Sequence, residues 1–438
     1  MNFVYIHTHD TGRYIQPYGI QADNPGLSRL AKEGVIFRNM YCCAPTCSPS
    51  RAAMLTGTAP HNCGMLGLAH RGFALERPEE HLASYLRSNG YYTCLFGVQH
   101  EAHKEGVSKL GYCSITNKVG KNSVETDENN SIAVCDFLKE RTGDNGSFFI
   151  SFGMNNTHRG WPKAKDPQPD FVVPPFPVAD TPENRLEYCN YLESLSVVDR
   201  CVTRVFDAIE QSGHKDDTVV LFTTDHGLAY PNMKCNLYDT GTGVSFILRI
   251  PGVEHSACDA LCSHIDLYPT VCDLLGLEKP VHLQGKSLMP LLNKTADEVN
   301  EFVFSEVTFH ATYQPMRSVR SKRFKLIRFY DGGNQQRFSN IDQGVAKKLY
   351  VSTELSRKDR PCELFFDLYA DPTERIDLSA DPSYADEYKR HCDALENWQK
   401  KTNDPVYYGA SMIEMGKGKL MNSFDAPDPS PATSFVIE

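Results

Sequence analysis

Basic residues are scarce in this chain. Lys and Arg number 45 against 55 Asp and Glu, a formal net charge of −10, and no basic block interrupts the acidic background. Nucleic-acid binding is therefore not expected, because phosphate neutralisation needs clustered Lys and Arg. An anionic substrate would require a few placed cations or a metal ion to collect its charge. No apolar run reaches the ~20 residues of a membrane span, so no membrane crossing is expected. The opening Met1-Asn2 leads straight into Phe3-Val4-Tyr5-Ile6, without a charged n-region or a small-residue cleavage site. As written, the chain is expected to stay in the cytoplasm. No CxxC occurs among the 15 cysteines, which are odd in number and scattered from Cys42 to Cys392. That pattern argues for a reducing compartment and mostly buried thiols rather than a disulfide framework. Internal repeats are also lacking.

What is present is an ordinary globular composition, 41% hydrophobic and 23% charged, in 438 residues. That length exceeds the size at which one core stops growing, so two domains are expected. Strand-like runs at Phe3–Ile6, Val35–Phe37, Tyr92–Phe96, Phe148–Phe152, Thr218–Thr223 and Val244–Ile250 alternate with helix-like stretches at Leu27–Glu33, His81–Asn89 and Arg185–Gln211. This alternation predicts an α/β domain over 1–295, with a mixed, mostly parallel sheet sandwiched by helices. Strands then follow one another at Phe302–Glu306, Met316–Arg320, Phe324–Phe329 and Glu363–Asp367, before a helix from Tyr384 to Lys401. They predict a small α+β domain with an antiparallel sheet over 296–408. A tail over 409–438 carries no core pattern, and is expected to be loosely ordered or to pack on a neighbouring surface.

Ligands of parallel α/β sheets sit beyond the carboxyl ends of the strands. Polar clusters stand at four such ends: His7-Thr8-His9-Asp10, Gly97-Val98-Gln99-His100, Asn155-Asn156-Thr157-His158 and Thr224-Asp225-His226-Gly227. Any single histidine there has a bland reading as a satisfied core or surface residue. Four clusters of Asp and His on one sheet edge instead suit a metal-assisted hydrolase.

One stretch narrows the chemistry. Cys47-Ser48-Pro49-Ser50-Arg51 is followed by a helical run and Leu55-Thr56-Gly57. This resembles the signature of the sulfatase family, in which the cysteine is oxidised to Cα-formylglycine by a maturation enzyme. Further segments resemble the family in the same order: Gly90-Tyr91-Tyr92-Thr93 with Gly97 and His100, Asn156-Thr157-His158, Phe222 to Gly227, and Lys234 ahead of Tyr238-Asp239-Thr240-Gly241. Asp266-Leu267-Tyr268-Pro269-Thr270 and Glu363-Leu364-Phe365-Phe366-Asp367 continue the series, so the likeness runs from residue 3 to about 405. Glu306-Val307-Thr308, Pro315-Met316-Arg317 and Asn403-Asp404-Pro405 look most like the heparan N-sulfatase (sulfamidase) branch and its bacterial relatives.

The resemblance implies roles. Cys47, as an aldehyde hydrate, would be the nucleophile, Arg51 would hold it, and His100 would be the base. His158 would be the acid, and Lys234 a cation against the sulfate or leaving atom. Asp10, Asp225, His226 and His9, with position 47, would hold a divalent metal. Family grounds favour calcium, whereas two Asp with two His would suit Mn, Fe or Zn. Two positions depart from the family pattern: His9 stands where Asp is usual, and Val98 where a sulfate-contacting lysine is usual. Lys104 or His103 could reach back to replace that lysine. The expected activity is hydrolysis of a sulfate ester or sulfamate on a small saccharide, with N-sulfoglucosamine favoured. A phosphonate monoester or phosphodiester hydrolase, and a non-catalytic binder of sulfated glycan, are the alternatives. A homo-oligomer is left open.

Overall fold

The structure is a computed structural model that describes residues 1–141, 146–331, 336–415, 419–421 and 434–436. Eight strands form its principal sheet: β1 (Asn2–Thr8), β2 (Val35–Tyr41), β3 (Tyr92–Gly97), β4 (Ser114–Thr116), β5 (Phe148–Gly153), β6 (Thr218–Thr224), β7 (Phe246–Arg249) and β8 (Ser256–Ser263). Their spatial order is β4-β3-β5-β1-β6-β7-β2-β8. All pairs are parallel except those of β7, which runs against both β6 and β2.

The helices that cover this sheet include α1 (Pro25–Lys32), α2 (Cys47–Thr56), α3 (Leu82–Ser88), α4 (Ser123–Glu140), α5 (Pro182–Gln211) and α6 (Leu267–Leu275). Successive side chains of a strand point to opposite faces, so a central strand needs apolar residues at every position. β1 shows the consequence. Val4 and Ile6 enter a core with Leu27 of α1, Val134 of α4 and Val198 of α5. Phe3 and Tyr5 enter the opposite core with Met54 of α2, Leu82 of α3 and Val271 of α6.

A second sheet holds β9 (Val303–Phe309), β10 (Tyr313–Arg320), β11 (Phe324–Phe329) and β12 (Glu363–Asp367), antiparallel throughout in the order β12-β11-β10-β9. Helix α7 (Ala385–Thr402) packs Leu395 against Val319, Phe324, Leu326 and Phe365 of this sheet. The two sheets are tied by main chain: Glu306 N donates to Cys43 O at 2.8 Å. The α/β plus antiparallel α+β architecture expected from the sequence is the one observed.

Several elements escaped the sequence pattern, β8 and α4 among them. β8 reads Ser-Ala-Cys-Asp-Ala-Leu-Cys-Ser, an edge strand buried only over its last four residues. Helix α4 is rich in Glu, Asp and Asn and presents a narrow apolar stripe of Val134, Cys135 and Leu138. Eleven of the fifteen cysteines are buried, in keeping with the mostly buried thiols expected. The expectation for the 409–438 tail falls largely outside the described residues; within them, Lys419–Met421 pairs antiparallel with Ser434–Val436. Among the described residues, no helix is long and apolar enough to cross a membrane.

Candidate active site

Because β3, β5, β1 and β6 are parallel neighbours, their carboxyl ends open onto one edge of the sheet. His100, His158, His9-Asp10 and Asp225-His226 follow these four ends. Asp10 adopts the left-handed backbone region at φ 48°, and its N–H donates to Asp225 Oδ1 at 2.8 Å. A non-glycine residue held in this region is over-determined by its surroundings. Here the neighbouring strand end fixes the turn and brings the two carboxylates together.

Helix α2 opens against this edge with Cys47 as its first residue and is buried along its whole length. Ser50 Oγ donates to Asp225 O at 2.6 Å, locking the helix to the end of β6. Cys47 Sγ lies 3.3 Å from His226 Nε2 and 4.0 Å from Asp10 Oδ1. Arg51, one turn further on, is 1% exposed. Its Nη2 donates to Thr8 O at 2.6 Å and to Asp225 Oδ2 at 3.1 Å, while Nη1 meets His7 Nδ1. Lys234 Nζ bridges two carboxylates, 3.0 Å from Asp10 Oδ2 and 3.0 Å from Asp342 Oδ2.

Electrostatics follow from this burial. Desolvation, with Arg51 adding to it, pushes His9 and His100 below the usual histidine range and keeps both rings neutral. Burial also opposes charge on His226, but Asp225, Cys47 and Asp10 outweigh it and lift the imidazole to about 9. Asp225 is held well below the usual carboxylate range: burial opposes this, and His226 and Arg51 prevail. Lys234 stays charged despite burial, because Asp10 and Asp342 face it.

Asp10, Asp225, His9 and Cys47 each offer an atom within 4.8 Å of the others, and all four residues are buried. Two buried carboxylates in such a group fit a divalent cation, with imidazole and position 47 completing the donor set. His226 directs Nε2 between Cys47 Sγ and Asp10 Oδ1, 3.4 Å from the latter. His100 is half-buried and its ring lies 5.4 Å from that of His9. His158 stands at the exposed rim, its ring 5.5 Å from His9. The loop before it is fixed by Asp127 of α4, which accepts from the N–H groups of Asn155 and Asn156 at 2.8 Å each. Val98 is half-buried at the end of β3, whereas His103 and Lys104 are exposed.

Sequence reasoning missed several groups around this centre. Asp342 comes from the long connection between β11 and β12, where no pattern marks it; a buried Lys234 in need of a second counter-charge was the available clue. Glu101 is buried, and its Oε2 accepts from His100 N at 3.1 Å. His310, just past β9, is buried in the fields of Lys234, Asp342 and Arg71. His70 stacks on His100 with ring centroids 5.6 Å apart.

The sulfatase family model matches residues 1–277. The chain belongs to the sulfatase family. This sulfatase is a hydrolase of sulfate esters or sulfamates, and residues 232–347 also match the C-terminal model of N-sulphoglucosamine sulphohydrolase. It is 28% identical to the N-sulphoglucosamine sulphohydrolase of Homo sapiens, over 87% of this chain and 86% of that one. A Δ4,5-hexuronate-2-O-sulfatase of Bacteroides thetaiotaomicron is 24% identical, over 92% of this chain and 89% of the other. In fold, the sulfatase resembles a protein solved with its substrate D-glucosamine-2-N,6-O-disulfate: TM-score 0.70, 18% identity, 92% of this chain and 99% of the neighbour.

Proposed function

We propose that this sulfatase removes a sulfate or sulfamate group from the end of a small sulfated saccharide, using a formylglycine made from Cys47. The observation that carries the reading is Cys47 Sγ at the buried start of α2, 3.3 Å from His226 Nε2 and beside Asp10 and Asp225. As an aldehyde hydrate, position 47 offers one hydroxyl to attack sulfur and a second whose deprotonation expels sulfate and restores the aldehyde. Arg51, anchored on Thr8 O and Asp225, is a fixed cation one helical turn away that favours negative charge at position 47. His100 is neutral and accepts the proton. His158, at the exposed rim, delivers one to the departing oxygen or nitrogen. Lys234 supplies positive charge against the sulfate.

Asp10, Asp225 and position 47, with His9 and His226 beside them, would hold the divalent cation, calcium on family grounds with Mn, Fe or Zn as alternatives. When bound, it polarises the sulfate oxygens. Conversion of Cys47 requires a maturation enzyme as partner.

A pocket at strand ends suits a terminal sugar, and a net charge of −10 disfavours the extended basic groove that a long sulfated polymer would need. The human relative's name and the neighbour solved with D-glucosamine-2-N,6-O-disulfate support an N-sulfated glucosamine. The second reading, a phosphonate monoester hydrolase, is favoured by Val98 and His9, which remove a sulfate-side cation and soften the metal site. Release of sulfate from N-sulfated and 6-O-sulfated glucosamine, measured beside hydrolysis of a phosphonate monoester, decides between them. A phosphonate kcat/KM higher by orders of magnitude would overturn the sulfated-saccharide reading.

A further inference from the structure

The residue that replaces the family's usual aspartate, His9, belongs to two groups of donor atoms. One is the group with Asp10, Cys47 and Asp225; the other contains His9, Cys47 and His100 alone. In the second group the three donor atoms lie within 4.8 Å of one another. A tetrahedral zinc ion with bonds of about 2.0–2.3 Å sets its ligands about 3.3–3.8 Å apart, so closure requires movement of at most about 1.0–1.5 Å.

We propose that the chain in its thiol form holds a thiophilic divalent ion, of which zinc is the type, through Cys47 Sγ and one ring nitrogen each of His9 and His100. The claim concerns unoxidised Cys47 and holds whether or not that residue is later converted to an aldehyde. Binding expels the thiol proton to solvent, and the resulting thiolate with two imidazoles is a soft donor set. It differs in kind from the carboxylate set of Asp10 and Asp225, which suits a hard cation.

Three features prepare the site. His100 Nδ1 is shut off from solvent and has no hydrogen-bond partner, a costly state for a buried polar atom. The His100 ring plane is set by His70, stacked on it at 14°. His9 Nδ1 is likewise buried without a hydrogen-bond partner, with Asp225 Oδ2 3.3 Å away. Arg51, Lys234 and the His226 imidazole bring positive charge close by, but Asp225 pairs with Arg51 at 3.1 Å and Asp10 with Lys234 at 3.0 Å and His226 at 3.4 Å.

The full chain, made without a maturation enzyme and confirmed by mass to carry Cys47 as a thiol, is stripped of metal and titrated with Co²⁺, then with Zn²⁺. One equivalent of Co²⁺ should give near-ultraviolet thiolate-to-cobalt absorption and tetrahedral visible bands, and Zn²⁺ should displace both. Cys47→Ser should abolish the thiolate band, and His100→Ala should weaken Co²⁺ binding at least about tenfold. X-ray absorption of the zinc-loaded wild-type chain, which needs no variant to fold, should find one sulfur in the first shell at about 2.3 Å. A shell of oxygen and nitrogen alone, or a thiolate band that persists in Cys47→Ser, would overturn the proposal. Neither result bears on sulfate release by the oxidised enzyme.

Discussion

His226 Nε2 and Cys47 Sγ stand 3.3 Å apart, joining the end of β6 to the first residue of α2. Asp225, one residue away, also holds Arg51 of the same helix at 3.1 Å. A single strand end therefore positions both the residue to be modified and the cation that favours its charge. Conversion of Cys47 is the first consequence to test. Peptide mass spectrometry of protein made with a maturation enzyme should show an aldehyde at position 47 that traps hydrazides. Cys47→Ala should lower kcat at least about 10³-fold while leaving the fold intact. Fully active protein with an unmodified thiol would refute the formylglycine reading.

The metal site should depend on carboxylates before imidazoles. Asp225 accepts from Asp10 N, His226 N and Arg51, so Asp225→Ala removes a ligand and loosens three neighbours at once. Loss of bound metal and of activity is expected. His9→Ala should reduce both less if calcium is native, because imidazole contributes little to a hard cation. Elemental analysis of each purified variant checks this. Stoichiometric zinc or manganese that disappears with His9→Ala would instead identify a softer native ion.

Lys234 should owe its position to Asp342 as well as Asp10. Both carboxylates lie 3.0 Å from its Nζ, and Asp342 arrives from the smaller sheet's β11–β12 connection. Asp342→Asn should keep the fold and lower kcat/KM for the sulfated sugar about ten- to hundredfold through misplacement of the amine. The loss should be much smaller in a Lys234→Ala background, since both changes act on one group. Additive losses in the double variant would show that Asp342 acts independently of Lys234.

Much of this centre was legible in the chain. Parallel strands announced themselves because β1, β5 and β6 are apolar on both faces, and their carboxyl ends directed attention to Asp10, His158, Asp225 and His226. Cys47 and Arg51 were marked by a compact motif with one-turn spacing. What stayed hidden has physical reasons. Asp342 and His310 reach the site through the tertiary packing of a second sheet, and sequence periodicity carries no record of that placement. Helix α4 was masked by its polar composition, although its Asp127 fixes the loop before His158. Arg317 and Asp404 were noticed only as parts of sulfamidase-like stretches, and the structure joins them in one buried pair.

That pair supports a stability prediction with a definite pH dependence. Arg317 Nε and Nη2 donate to the two oxygens of Asp404 at 2.8 Å each, and both side chains are fully buried. Gln399 Nε2 and Val406 N donate to the same carboxylate at 2.7 Å and 3.1 Å, so the end of α7 is fastened to the middle of β10. Burial works against the charge on Asp404, but Arg317 and the hydrogen bonds hold its carboxyl well below the usual range. A depressed carboxylate contributes stability that is complete above its unfolded value of about 3.9 and is lost as pH falls towards its folded value. Asp404→Asn leaves a buried guanidinium without its bidentate partner, a change that typically costs 3–5 kcal/mol. Glu306 Oε2 remains 3.9 Å from Arg317 Nε, so about 3 kcal/mol is expected. Denaturant titrations at pH 7 should show that loss. Repeated between pH 5 and pH 2, they should show the gap between wild type and variant narrowing, because the unfolded wild-type chain takes up a proton on Asp404 that the folded chain resists. A gap that stays constant down to pH 2 would mean that shape, not charge, holds the two elements together.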